Sequence, residues 1–280
     1  MSAAVLAATA AASVGAFWIG THGETAALAD EAAPKPDAAP AAPLPLPPVP
    51  PRIAEGDRYE RCLDMLNEDA PGASAEAEAW QSNGGGEAAA HCLALARIAM
   101  GEPQLGAQML ESLARASSAP PAARAMVFGQ AAQAWEMAND IPRAYAAATS
   151  ALALASDDPD LLVDRAVAAG ALAKFQESID DLDRAIEIDP HRLDAMVLRG
   201  SAWRHLGQLD LAQDDIDRVL LADPENAEAL LERGILRQRK GDVAGAQADW
   251  QQAMKLAPDS ATADLAQQDL ALLEAGPERR

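Results

Sequence analysis

Three segments of this chain close alike at a fixed interval. Asp189-Pro190, Asp223-Pro224 and Ala257-Pro258 recur at one constant spacing. Ahead of each proline, Arg165, Arg199 and Arg233 fall in register, followed by Ala166, Gly200 and Gly234. Ala173, Gly207 and Gly241 repeat in the same way, and so do Ser178, Ala212 and Ala246. A self-similar period of about 34 residues specifies stacked units, each packing on its neighbours, because one unit alone buries too little apolar surface to stand. Small residues at fixed places let two helices approach closely. Trp203, Ile216, Leu220 and Trp250 are expected to fill the space between pairs.

The period extends in both directions. Ala122–Ser156 forms the preceding unit, with Asn139-Asp140 ending its first helix and Pro142 opening the second at a tolerated first-turn position. Asp158-Pro159 caps the next helix by the same logic. Earlier still, Glu87–Met100 pairs with Pro103–Ala116 across Gly101-Glu102, with Gly106 and Leu110 in the places of Ala212 and Ile216. Residues 53–121 are therefore a divergent part of the series, and 122–274 the regular part. In the divergent part Pro71-Gly72 is expected to break a first helix, with a second over Ser74–Gln81 stopping at Asn83-Gly84-Gly85-Gly86. That triple glycine lacks the GK[ST] ending and the preceding strand of a phosphate loop, so it reads as a helix stop. After Pro258, Asp259–Glu274 is expected to cap the open end through Leu265, Leu270 and Leu273, leaving 275–280 as a tail.

The first 52 residues differ in character. Met1–Gly20 is apolar, and Ala27-Leu28-Ala29 follows as a small-residue cleavage signal. This is the pattern of a secretory signal peptide over 1–29 cleaved after Ala29, although no Lys or Arg precedes the apolar run. The alternative is an uncleaved inner-membrane anchor, with the repeats facing the periplasm. Nine prolines between Pro34 and Pro51 make residues 30–52 a semi-rigid spacer.

Charge narrows the partners. A formal charge of −21 and a pI near 4.4 oppose a nucleic-acid backbone or a bare anionic membrane. A membrane is involved only if the N-terminal segment stays attached. No G-x-S-x-G, H-E-x-x-H or glycine-rich strand–helix turn is present, and His22, His91, His191 and His205 have no partners at metal-ligand spacing. No catalytic residue, metal or cofactor is expected. Cys62 and Cys92 are the two cysteines. In an exported chain they would form a disulfide tying the first helix to the third; otherwise they are two buried thiols.

Small residues at two fixed places, a glycine hinge, an aliphatic or aromatic residue late in the second helix and a closing proline form a recognisable set. The segment Leu230–Pro258, LLERGILRQRKGDVAGAQADWQQAMKLAP, resembles a tetratricopeptide repeat, as do Leu193–Pro224 and Leu161–Pro190. The resemblance is specific over Ala122–Glu274 and weak before it. It implies an all-α, right-handed superhelical solenoid of antiparallel helix pairs, about five to six pairs plus a capping helix. The whole layout resembles exported tetratricopeptide proteins of Gram-negative bacteria.

The resemblance implies that a concave groove binds a peptide or partner protein without chemistry of its own. By register the groove would be lined by Asp160, Val163 and Val167; by Asp194, Val197, Ser201, Arg204 and His205; and by Glu228, Leu231, Ile235, Gln238 and Arg239. Arg165, Arg199 and Arg233 could form a cationic ladder for carboxylates. Asp181, Asp215 and Asp249 recur at one constant offset after these arginines, which favours structural ion pairs within each hairpin. The expected function is a scaffold or adaptor in the cell envelope, with the partner and oligomeric state open. The alternatives are an enzyme with a site in residues 53–116 and a cytoplasmic chaperone-like module.

Overall fold

A computed structural model describes residues 52–275; the expected signal peptide, nearly all of the proline spacer and the last five residues lie outside them. The described residues form thirteen α-helices and no strand. They are α1 (Asp57–Glu68), α2 (Ala70–Ser82), α3 (Gly86–Ala99), α4 (Pro103–Ala116), α5 (Pro121–Met137), α6 (Ile141–Leu152) and α7 (Pro159–Ala171). There follow α8 (Phe175–Ile188), α9 (Leu193–His205), α10 (Leu209–Ala222), α11 (Ala227–Arg239), α12 (Val243–Leu256) and α13 (Ala261–Ala275). Odd and even helices pair as hairpins, and odd helices also meet one another, α5 with α7, α7 with α9, α9 with α11 and α11 with α13.

Short polar side chains start many of these helices. Asp158 caps α7 by accepting from Asp160 and Leu161 N–H, Asn226 caps α11 through Ala229 N–H, and Asp242 caps α12 through Gly245 N–H. The turn between the helices of a pair requires a left-handed residue. Gly101, Gly207 and Gly241 adopt φ of 82°, 76° and 87°, and Asn139 and Ala173 hold the same place at 56° and 58°. Glycine and asparagine tolerate this geometry; Ala173 is strained there.

Alanine dominates the buried surface. Ala94, Ala107, Ala131, Ala144, Ala185, Ala212 and Ala246 are fully or almost fully excluded from solvent, with Trp135, Leu110, Leu182, Ile216 and Trp250 filling between them. One apolar cluster runs from Ile53 to Ala185, across the boundary between divergent and regular repeats. A second spans Ala166 to Ala253, and a third joins Leu231, Ala246, Trp250 and Ala266 at the C-terminal end.

Three expectations are corrected. Pro71-Gly72 does not interrupt the chain between helices: both lie in the first turn of α2, where Asp69 caps by accepting from Gly72 N–H at 2.9 Å. A first-turn proline has no intrahelical bond to lose, so it starts the helix instead of ending the previous one. Leu265 does not cover the open end and is 51% exposed; Leu270 and Leu273, with Ala266, make that contact. Trp203 packs against the second apolar cluster but fills its place only in part: it is half-buried, unlike Trp135 and Trp250, and also lines an outer cleft.

Candidate functional site

The odd helices present one continuous face, and the side chains there are linked from one helix to the next. At the N-terminal end Tyr59 Oη and His91 Nδ1 are 2.5 Å apart, and His91 Nε2 lies 2.6 Å from Gln130 Oε1. Burial lowers the His91 pKa to about 4, so this imidazole is neutral and bridges α1, α3 and α5. Beside it Cys62 and Cys92 form a disulfide with Cα atoms 6.3 Å apart, joining α1 to α3.

Between α5 and α7 the face carries two carboxyl groups. Burial pushes Asp164 up to about 7 and Glu136 up to about 8, Glu136 further through the charge of Asp164. Gln133 Nε2 donates to Asp164 at 3.3 Å, while Glu136 Oε1 is buried without a partner among the described residues. Two repeats on, between α9 and α11, the pair is instead Arg204 and Glu232, joined at 2.7 Å through Arg204 Nε. Glu232 stands two repeat periods after Asp164, and Arg204 stands two periods after Glu136. The same two places therefore hold acid with acid at one junction and base with acid at another.

The junction in between is apolar. Gly170 and Leu198 occupy those places, and a pocket of about 190 Å³ opens between α7 and α9. Val167, Ala171, Phe175, Ser201 and His205 also line it. Phe175 and His205 stack with ring centroids 4.5 Å apart and planes 5° from parallel, forming one wall. Burial, then the neighbouring Arg204 charge, lowers the His205 pKa. Gly170 keeps the floor open: a Cβ there would meet only Ser178 Oγ, at 3.8 Å.

The expected groove residues meet different surroundings. Val167, Ser201 and His205 meet in this pocket. Asp160 and Asp194 are tied together by Arg192, whose Nη1 lies 2.5 Å from Asp160 and whose Nε and Nη2 lie 3.0 and 2.7 Å from Asp194. Val163 and Ile235 are partly buried against the apolar clusters, Gln238 is partly buried, Arg239 is exposed, and Glu228 is partly buried. Val197 and Leu231 do not line the groove; both are buried in the apolar clusters. Arg204 is also buried and committed to Glu232, so it is not an anchor for a ligand.

The repeated arginines face their own hairpins. Arg165 holds Asp181 through Nε at 2.7 Å and Nη2 at 2.5 Å, Arg199 holds Asp215 at 2.8 and 2.5 Å, and Arg233 holds Asp249 at 2.9 and 2.7 Å. The three aspartates are buried, and these bidentate pairs raise the pKa of each guanidinium. Sequence reasoning did not bring Asp164, Glu136, Glu232, Arg192 or Phe175 to this face. The repeat register holds a signal for three of them, since Glu136, Asp164 and Glu232 fill the places of Gly170 and Leu198.

Among the described residues no group of three or more His, Cys, Asp or Glu is placed to hold a metal ion, and no helix is long and apolar enough to cross a membrane. No protein-family model and no curated protein matches the sequence. Solved structures do match in shape. Cut9, from the APC/C hetero-tetramer Cut9-Hcn1, superposes with a TM-score of 0.58 at 17% identity over 75% of this chain. The fold is the tetratricopeptide-repeat solenoid. The chain spans 42% of Cut9. YrrB, described as a TPR protein with an unusual peptide-binding site, matches with a TM-score of 0.51 at 19% identity, over 69% of this chain and 96% of YrrB. An IFIT1 monomeric mutant solved with Gppp-AAAA matches with a TM-score of 0.58 at 16% identity, over 77% of this chain and 52% of its own.

Proposed function

We propose that this chain is a non-enzymatic binding scaffold that holds an extended segment of a partner protein along the odd-helix face. The observation that carries this reading is the pocket between α7 and α9. It has an apolar floor of Val167, Gly170, Ala171 and Leu198, and hydroxyl and imidazole groups on its rim. A cavity of about 190 Å³ suits one aliphatic side chain better than a whole small-molecule substrate, which typically occupies about 300–1,000 Å³. Flanking polar groups would fix the backbone of such a segment. An RNA ligand, as in the IFIT1 structure, is disfavoured by the −21 charge.

The proposed setting is the cell envelope. Support comes from the apolar run Met1–Gly20, the Ala27-Leu28-Ala29 tripeptide and a disulfide that suits an oxidising compartment. The test replaces Gly170 with leucine, which fills the floor where only an ordinary contact stands in the way. Cross-linked capture from an envelope extract should recover a protein with the wild-type chain and lose it with Gly170→Leu, at unchanged helical content. Capture unaffected by Gly170→Leu refutes the pocket as the binding site. Mass spectrometry of the mature chain should find an N-terminus at Asp30; an intact Met1 in soluble cytoplasmic protein refutes the setting.

A further inference from the structure

A second surface lies on the even-helix side, away from the pocket between α7 and α9. A cleft of about 650 Å³ runs between α8 and α10 over α9, with Trp203, Leu211, Asp214, Asp217 and Leu221 among its lining residues. Its apolar members are exposed beyond what packing requires: Leu221 is 85% exposed and Leu211 is 44% exposed. Asp183 and Asp215 also line the cleft, so four aspartates face Arg199 and Arg218 and make the rim acidic. Arg199 is occupied by Asp183 at 2.6 Å and by Asp215 at 2.8 and 2.5 Å. Arg218 reaches Asp215 only at 4.0 Å. Asp214 and Asp217 face solvent, Asp217 accepting from Gln213 Nε2 at 2.8 Å.

The chain itself shows what fits against this indole. Two repeat periods before Trp203 stands Trp135. Trp135 is buried, its N–H donates to Glu111 at 2.8 Å, and the Arg143 guanidinium lies over its ring at 4.6 Å from the centroid. In the repeat around Trp203 all three features change. Asp183 replaces Glu111, is one methylene shorter, and bonds Arg199 instead. Leu211 replaces Arg143, so no guanidinium covers the ring. The Trp203 N–H has no acceptor among the described residues. The earlier repeat supplies its own cation to the tryptophan; this one leaves the ring face open beside carboxylates.

We infer that the cleft over Trp203 is a docking surface for a partner-protein segment that lays an arginine side chain on the indole and an aliphatic side chain against Leu211 and Leu221. A guanidinium is attracted by the ring face and forms paired bonds to the carboxylates of Asp214 and Asp217. It also leaves its planar faces free to stack, which an ammonium group does not. The site does not overlap the proposed pocket, so it stands or falls independently of that reading.

The experiment uses the full chain labelled with ¹⁵N-tryptophan, and the Trp203 indole signal is assigned by Trp203→Phe. The probe is the peptide acetyl-Gly-Arg-Ala-Leu-Gly-amide. It should move the Trp203 indole resonance saturably and leave those of Trp135 and Trp250 in place. Replacing its arginine with neutral citrulline should weaken binding about threefold to tenfold, and Asp214→Asn with Asp217→Asn should weaken the arginine peptide by a similar factor. Both aspartates are exposed, so the double variant keeps the fold. The inference is overturned if Trp203 does not respond, if citrulline serves as well as arginine, or if the buried tryptophans respond equally. It is also overturned if free L-arginine binds as tightly as the peptide, which would make this a small-molecule site.

Discussion

Gly200 and Gly234 hold the same place in successive repeats, yet adding one methyl group should have opposite effects at the two. A Cβ on Gly200 would lie 3.1 and 3.2 Å from Ile216 Cδ1 and Cγ1, the flexible end of an aliphatic chain. A Cβ on Gly234 would lie 2.6 and 2.9 Å from Trp250 Cδ1 and Cε2. Trp250 is fully buried, and its indole N–H donates to Leu231 O at 3.2 Å, so the ring cannot withdraw without losing a bond and shifting the helix beneath it. Gly→Ala inside a helix is favourable by about 1 kcal/mol. At Gly200 a small side-chain adjustment offsets part of that, leaving a change between about 0 and +1 kcal/mol. At Gly234 the overpacking cost is about 3 kcal/mol, leaving a net loss of about 2 kcal/mol. For a folded region of this size that is a fall in Tm of about 4–8 °C, against no change or a rise of up to about 4 °C for Gly200→Ala. Thermal unfolding followed by circular dichroism measures both. Adding Trp250→Leu to Gly234→Ala should make the alanine far less costly than it is beside the tryptophan. Equal Tm changes for the two single variants, or no coupling between Gly234 and Trp250, would refute this account of repeat packing.

Further expectations concern charge, the turn and the disulfide. Glu136 and Asp164 have folded-state pKa values raised to about 8 and about 7, so the folded chain binds more protons than the unfolded one at intermediate pH. Their contribution to stability is therefore intact below about pH 4, falls by up to about 1.4 kcal/mol per pH unit for each group, and is lost once pH passes about 8. Urea midpoints from pH 4 to 9 should show this decline, and Glu136→Gln with Asp164→Asn should flatten it. Arg204→Met leaves Glu232 buried and unpaired and should cost about 3–5 kcal/mol, whereas adding Glu232→Leu should restore most of it; a double variant no more stable than the single one sinks that reading. Ala173→Gly relieves a left-handed alanine and should raise stability by about 1 kcal/mol in the same urea assay. The Cys62–Cys92 bridge closes a 30-residue separation, so Cys62→Ser with Cys92→Ser should cost about 3–4 kcal/mol, provided thiol titration of the wild type finds no free thiol.

The architecture was legible because it is periodic. Each unit repeats the same small residues, the same turn and the same proline, so the helix boundaries from α3 onward follow from the register alone. The intrahairpin ion pairs were legible for the same reason: Arg and Asp recur together at one constant offset, although the further partners, Asp183 on Arg199 and Arg237 on Asp249, were not. The first two helices are less regular, and there a first-turn proline has the same local signature as a helix break. Position on a helix face was only half legible. Val197 and Leu231 share their place with the half-buried Val163, and Arg204 shares its place with the half-buried Gly170 and Gln238. Exposure at these places depends on how closely the next odd helix approaches.

Sequence by itself determined the repeat length, the hairpin turns, the acidic character and the absence of recognisable catalytic motifs, because each is a property of local residue order. Tertiary structure alone decided which junctions between repeats are filled. Glu136 with Asp164, Gly170 with Leu198, and Arg204 with Glu232 stand in equivalent places, yet one junction is acidic, one opens as a pocket and one closes as an ion pair. Trp135 and Trp203 divide likewise into a covered ring and an exposed one. These outcomes depend on pairs of side chains from different repeats meeting across about 10 Å between helix axes. No single residue fixes such a meeting; the stacking of one hairpin on the next does.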